Sequence, residues 1–342
     1  MWTKCPQTHK LSERKSTSMK ILMVTRETQA EKRYGLGRSL TPLIDELRQR
    51  GTTVGYICQS DLGPRSVRWQ HYFSRLFTIL PNSKTGTDYP TLFSALLERL
   101  NMGRVAAKLA AKQNFTHVHC HDPIIAAGFR LFARLYPNCR TVWGVTEHGF
   151  GCYTNAMRDD GIKLGNHVIR IIRGWEARTL LTADWVIAPT NSGITQIAND
   201  LNISPIPEHW QHVTHARPIL NHYSKSAARM QLGWTNETIC ILTVGRIATV
   251  KQFPLLIEAC AKLNTTKDFK LVILGEGNRN HLQKQAQQHQ FSEKLQFFTT
   301  EDVGLYLHAA DIYVSSSASE SFGMANLEAL TAGTPAICTA VG

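Results

Sequence analysis

The 342-residue chain contains no uninterrupted apolar run close to the roughly 18–20 residues that cross a bilayer. Its first 18 residues are polar and basic and lack an apolar core, so they do not read as a secretory signal. They read instead as a loose extension, with Met19 as an alternative start. None of the eight cysteines forms a C-x-x-C pair, which removes the commonest zinc and redox frameworks. Most sit inside apolar segments, as free thiols of a reducing cytoplasm do. The G-x-G-x-x-G fingerprint of dinucleotide binding is absent, as are internal repeats and low-complexity tracts. What is present, 43% apolar and 8% aromatic residues, excludes wholesale disorder, collagen and coiled coil. Two cores fit a chain of this length.

Charge is unevenly placed. Residues 1–200 hold 27 Lys+Arg against 15 Asp+Glu, whereas the remainder holds 11 of each, and no Lys or Arg follows residue 300. A basic half beside a neutral half suits an anionic partner for one domain: a phosphorylated acceptor, a lipid surface or nucleic acid. A merely solubilising basic surface explains it equally well.

Strand-like runs alternate with helical periodicity. Lys20–Thr25, Thr53–Cys58, Thr116–Cys120, Thr141–Thr146 and Trp185–Ala188 read as strands, with helices over Ser39–Arg50, 91–113 and Val168–Thr182. From about 203 to 238 the pattern breaks at Pro205, Pro207, Pro218 and Gly233. Strands then resume at Ile239–Val244, Phe269–Leu274, Leu295–Phe298, Ile312–Val314 and Ala336–Cys338. Two doubly wound parallel α/β domains are expected, 19–215 and 239–342, joined by a linker at 216–238. The second is expected to be incomplete at its carboxyl end.

Ligands of such sheets bind beyond the carboxyl ends of the strands. In the second half those ends carry Gly245-Arg246 with Lys251, Gly275-Glu276-Gly277, Thr299-Thr300, and Ser315 to Gly323. The last loop runs into a helix whose free N–H groups, near Phe322, Gly323 and Met324, hold oxygens. Arg246 and Lys251 suit a diphosphate, while Glu320 and Glu328 accept hydrogen bonds from sugar hydroxyls. The layout describes a nucleotide-sugar site.

Gly245-Arg246…Lys251, Leu274-Gly275-Glu276-Gly277, Ala310-Asp311-Ile312-Tyr313-Val314, Glu320-Ser-Phe-Gly…Leu327-Glu328-Ala329-Leu330 and Ala332-Gly333-Thr334-Pro335 resemble the carboxyl-terminal domain of family 4 retaining glycosyltransferases. The seven residues between the two glutamates are the most specific part of the resemblance, which covers nearly all of the chain after Met19. It implies the GT-B fold, two Rossmann-like domains facing across a cleft, with the acceptor on the first and the donor on the second. It also implies roles. Arg246 and Lys251 would bind the donor diphosphate and stabilise the leaving group, and Glu320 would contact the transferred sugar with the N–H groups of Phe322, Gly323 and Met324. Glu328 would hold the ribose, Thr299 and Thr300 would place backbone against the base, Gly245, Gly275 and Ser321 would also bind the donor, Gly35 and Gly37 would reach the phosphates, and His148 would face the acceptor. No metal or other cofactor is implied. The chain departs from the family at Lys251-Gln252, where Lys-Gly is frequent, and at His215-Ala216-Arg217-Pro218, where Asn-Gly is frequent.

The implied activity moves a hexose-type sugar onto a saccharide or glycolipid acceptor, neutral or anionic, such as a cell-envelope glycan or lipopolysaccharide precursor. The expected setting is cytoplasmic, free or in peripheral contact with the inner face of the membrane, with no nucleic acid. Rival readings are a non-catalytic sugar-nucleotide-binding subunit and a GT-B epimerase or phosphorylase. Several side chains keep two readings. His117, His119 and His121 alternate on one strand, as metal ligands or as cleft and core residues. Glu147 reads as a general base or as a partner to His148. Arg170, Arg173 and Arg178 read as an acceptor surface or a solvated helix face. Trp69, Tyr72 and Phe73 among Arg65, Arg68 and Arg75 read as a lipid- or nucleic-acid-touching segment or as packing.

Overall fold

The computed structural model describes residues 19–27, 35–77, 86–136, 141–263 and 265–341. The expected extension at 1–18 lies outside them, as do Cys5 and Cys139. The six described cysteines are all free.

The first unit runs β1 (Lys20–Val24), α1 (Gly35–Gln49), β2 (Thr53–Ile57), α2 (Pro64–Phe77), α3 (Tyr89–Gln113), β3 (His117–Cys120), α4 (Pro123–Ala133), β4 (Val142–Thr146), α5 (Tyr153–Asp159), α6 (Asn166–Thr182), β5 (Trp185–Ala188), α7 (Asn191–Leu201) and β6 (Trp210–His212). Its six strands are parallel, in the order β2-β1-β3-β4-β5-β6. Leu22, Val24, Val118, Cys120, Val145 and Val186 lie on one buried face with Met102, Ile125 and Phe129 of α3 and α4. Met23 and Val54 pack on the opposite face against Leu40 and Ile44 of α1.

Among the elements of this unit that escape the periodicity, α4, β6 and α5 do so for clear physical reasons. The α4 helix is buried on every side along Pro123–Phe129, so that stretch is apolar throughout and shows no polar face. Asp122 starts it, its Oδ1 accepting from the backbone N–H groups of Ile124 (2.8 Å) and Ile125 (3.0 Å). The β6 strand is only three residues long, anchored by the buried Trp210 opposite Val186. The seven-residue α5 is too short to show a period.

The second unit runs α8 (Lys225–Leu232), β7 (Ile239–Val244), α9 (Phe253–Ala261), β8 (Phe269–Leu274), α10 (Asn280–Gln288), β9 (Leu295–Phe298), α11 (Val303–Ala309), β10 (Ile312–Ser315), α12 (Met324–Thr331) and β11 (Ala336–Cys338). Its five parallel strands take the order β11-β10-β7-β8-β9. Two clusters cover the two faces, one around Leu242, Val272, Leu307 and Tyr313, the other around Ile257, Leu271, Ile273 and Leu282.

The segment 216–238, expected as a linker, is more structured than that. It contains α8, whose Ala228 is fully buried in the second core. Arg229, only 3% exposed, donates to Asp311 Oδ2 (2.5 Å) and to the carbonyls of Ala309 (2.9 Å), Thr235 and Asn236 (3.0 Å each). A polar composition hid this helix, because its arginine is satisfied inside the second unit. The crossing between units therefore shrinks to 213–224.

Candidate functional site

Strand order reverses in the second sheet between β7 and β10, which are neighbours although far apart in sequence. Loops leaving the two strands must diverge there, and they open a crevice. Gly245 and Arg246 leave β7, and residues 316–323 leave β10 towards α12. Gly275, at the end of β8, allows the close approach this needs: a Cβ there would collide with the carbonyl oxygen of Gly245. Gly323, at φ 76°, is the left-handed residue that turns the loop into α12.

The crevice is a cavity of about 620 Å³. Gly245, Arg246, Lys251, Gly275 and Thr299 line it, as expected, and so do Glu320, Ser321, Phe322, Gly323, Met324 and Glu328. Lys251 Nζ donates to Glu320 Oε1 at 2.5 Å, and Ser317 Oγ donates to the same oxygen at 2.8 Å. The loop is further held by Ser316 Oγ on the Lys251 carbonyl (2.8 Å) and by Ala318 N–H on the Val250 carbonyl (2.8 Å). Glu328 is fully buried in the wall formed by α12. Arg246 is 68% exposed at the rim and reaches Asp160 Oδ1 of the first unit at 3.4 Å. Arg26, at the end of β1, approaches the other oxygen of Asp160 at 3.8 Å and Glu98 at 3.7 Å.

From the first unit the cavity takes His148, as expected, together with Leu36 and with His215 from the crossing. The imidazoles form a column. His119 stacks on His121 (centroids 4.3 Å apart), His121 on His148 (5.2 Å), and His148 on His215 (5.6 Å, rings 11° apart). His121 Nδ1 and His148 Nε2 share a hydrogen bond of 2.9 Å. Burial holds His119 down at about 4 and His148 at about 3, and lowers His121 and His215, so the column is neutral at ordinary pH. His117 bonds instead with Thr116 Oγ1 (2.9 Å) and His119 with Thr146 Oγ1 (2.7 Å).

Glu147 does not line the cavity. It is 4% exposed and points into the first unit, where burial, reinforced by Glu176 and Asp122, pushes its carboxyl well above the usual range. Burial likewise raises Glu176 to about 8, against the stabilising N–H of Tyr153, which lies 2.9 and 3.0 Å from its two oxygens. The loop after His148 is thus tied to α6 by a buried carboxyl. Arg173, proposed for an acceptor surface, donates to Thr154 Oγ1 (3.1 Å) and Asn155 Oδ1 (3.2 Å).

Gly37 is not in the lining of the cavity; its neighbour Leu36 is. The Gly37 N–H, expected to reach phosphate, donates at 2.6 Å to Glu27 Oε1. Tyr56 O–H occupies the other oxygen of that carboxylate at 2.6 Å, and burial pushes the carboxyl up. The carboxyl end of β1 thus fills the amide position with its own acidic side chain. Sequence reasoning also missed His215, Asp160 and Leu36. His215 read as linker composition, and Asp160 is an ordinary surface residue until the other unit is placed opposite.

Comparison with known proteins identifies the family and the fold. Residues 34–208 match the family described as Glycosyltransferase Family 4, and residues 224–342 match Glycosyl transferases group 1. Over 127 residues the chain is 35% identical to D-inositol 3-phosphate glycosyltransferase of Pseudarthrobacter chlorophenolicus. That stretch covers 34% of this chain and only 30% of the relative's length. Sucrose-phosphate synthase from Thermosynechococcus elongatus superposes with a TM-score of 0.70 at 17% identity, over 95% of this chain and 82% of that one. Anabaena HepE in complex with UDP and glucose superposes with a TM-score of 0.62 at 14% identity, over 95% and 81%. These structures share the fold, the two facing α/β units of GT-B. The two family matches between them span both units, and the chain belongs to glycosyltransferase family 4.

Proposed function

We propose that the chain is a retaining glycosyltransferase that moves a hexose-type sugar from a nucleoside-diphosphate donor to a saccharide or glycolipid acceptor. The observation that carries the reading is the Lys251–Glu320 pair at 2.5 Å, in one cavity with Arg246, Glu328 and, on the opposite wall, His148. Arg246 and Lys251 supply positive charge to the departing diphosphate, so the reading assigns no resident metal. Glu320 and the N–H groups of Phe322 to Met324 hold the sugar, and Glu328 holds the ribose. The bond from anomeric carbon to phosphate oxygen breaks as the acceptor oxygen bonds on the same face, and the departing phosphate takes the acceptor proton. Neutral His148 faces the acceptor and leaves that proton transfer to the phosphate.

HepE, a structural relative, was solved with UDP and glucose, which supports a sugar nucleotide as the donor. A relative named for inositol 3-phosphate supports an anionic acceptor, as does the basic first half. A cell-envelope glycan or lipopolysaccharide precursor fits that class. Among the described residues no helix is long and apolar enough to cross a membrane. Basic α2, with Tyr72 64% exposed beside Arg65, Arg68 and Arg75, supports a cytoplasmic enzyme touching the inner face of the membrane. The experiment is a panel of UDP-, GDP- and ADP-sugars with wild type and Glu320→Ala. Turnover of one donor, lost in the variant, bears the reading out. Binding without turnover favours a non-catalytic binding subunit.

A further inference from the structure

We propose that His215 is a positioning residue that ties the placement of the donor loop, residues 316–323, to the packing of the two units. The inference rests on the transferase reading above and goes beyond it, since the sugar contacts assigned there all lie on the second unit.

The donor loop is held on its own side by Lys251, Val250 and Ser317, through the bonds described above. On its other side two consecutive residues meet the first unit and the crossing. The Ser321 carbonyl faces Thr190 Oγ1 at 3.4 Å, and Thr190 is itself fixed as the cap of α7 by the N–H of Gly193 (3.0 Å). The Phe322 ring meets His215 edge to face, with centroids 5.2 Å apart and planes at 76°. The opposite contact of His215 is the near-parallel stack on His148. One imidazole therefore bridges the acceptor-side histidine and the loop that carries Glu320. It is the second ring in the run His148, His215, Phe322, which crosses the cavity from one unit to the other.

What the bridge requires of residue 215 is a flat ring. No hydrogen bond of its ring nitrogens is needed for either contact, so phenylalanine should serve and alanine should not. A residue that merely bound substrate through a nitrogen would show the reverse.

The test uses the full chain, as wild type, His215→Ala and His215→Phe. Backbone hydrogen exchange is read without ligand, binding of UDP, GDP and ADP by calorimetry, and donor turnover as separate kcat and KM. In His215→Ala, exchange at 320–324 should quicken about tenfold while β7 and β8 stay unchanged. Its kcat should fall about tenfold or more, with the nucleotide Kd within about threefold of wild type. His215→Phe should restore both within about threefold. Unchanged exchange in His215→Ala overturns the proposal, and so does a phenylalanine variant as impaired as alanine. A nucleotide Kd that worsens in step with kcat overturns it too, because 215 would then be a binding residue. If wild type binds none of the nucleotides, the transferase reading fails, and the exchange comparison still decides whether His215 holds the loop.

Discussion

Lys251 Nζ stands 2.5 Å from Glu320 Oε1, and the two side chains are only 21% and 18% exposed. The pair joins the loop after β7 to the loop after β10 across the point where strand order reverses. Each partner fixes the other, so removing either disturbs both. Glu320→Ala and Lys251→Met should each lower kcat by about a hundredfold or more, the scale of losing one preorganised charge contact. The double variant should lose little beyond the worse single one. Steady-state kinetics on the donor that turns over checks this, and strictly multiplicative losses would count against a shared role.

Asp160 competes for Arg246. The ion pair is exposed and long, so Asp160→Asn should change unfolding stability by less than about 1 kcal/mol. It should also lower the donor KM a few-fold at low salt, because the guanidinium no longer has a carboxylate opposite it. The difference should close at high salt, where the pair is screened in wild type. Donor titrations at two ionic strengths decide it.

Glu176 gives stability a pH dependence of definite sign. Its carboxyl is raised to about 8 in the fold, above its ordinary value of 4.5, so the folded chain holds the extra proton in between. Stability therefore falls as pH rises from about 4.5 to 8. Glu176→Gln keeps an acceptor for the Tyr153 N–H and cannot ionise. Its Tm should exceed that of wild type at pH 8, with the gain shrinking towards pH 5.

The histidine column acts from the acid side. His119 and His148 are held at about 4 and about 3, below the ordinary 6.5, so the unfolded chain takes their protons first. Stability should fall as pH drops below about 6.5, at a slope of up to about 1.4 kcal/mol per pH unit for each histidine. His119→Gln should flatten that limb in a pH series of thermal melts.

Asp311 is the partner of a buried guanidinium. Asp311→Ala strands Arg229, 3% exposed, and should cost about 3–5 kcal/mol in denaturant unfolding. Arg229→Met with Asp311→Ala should recover part of that, since both charges are then gone.

The second unit was largely legible from its sequence because its strands are short apolar runs ending in small and charged residues. Arg246, Lys251, Glu320 and Glu328 fall together since a parallel sheet collects its strand ends at one edge. The first unit was less legible, for reasons that differ by residue. A helix such as α4, buried on every side along Pro123–Phe129, shows no polar face there to detect. Gly37 offered a free amide on paper, and a neighbouring acidic residue, Glu27, already occupies it. His215 and Asp160 acquire meaning only from the opposite unit, which no local window contains. The same holds for α8, whose arginine reads as surface until the carbonyls it satisfies are known.

The short crossing has a mechanical consequence. Residues 213–224 join the two units, with Asn221 and Tyr223 held to Asp302 of the second, and His215 lies among them with its ring in the cavity. A rotation that parts the two units must draw that ring off His148 or off Phe322. Parting the two units and loosening that wall of the cavity are then one movement, since a single ring belongs to both.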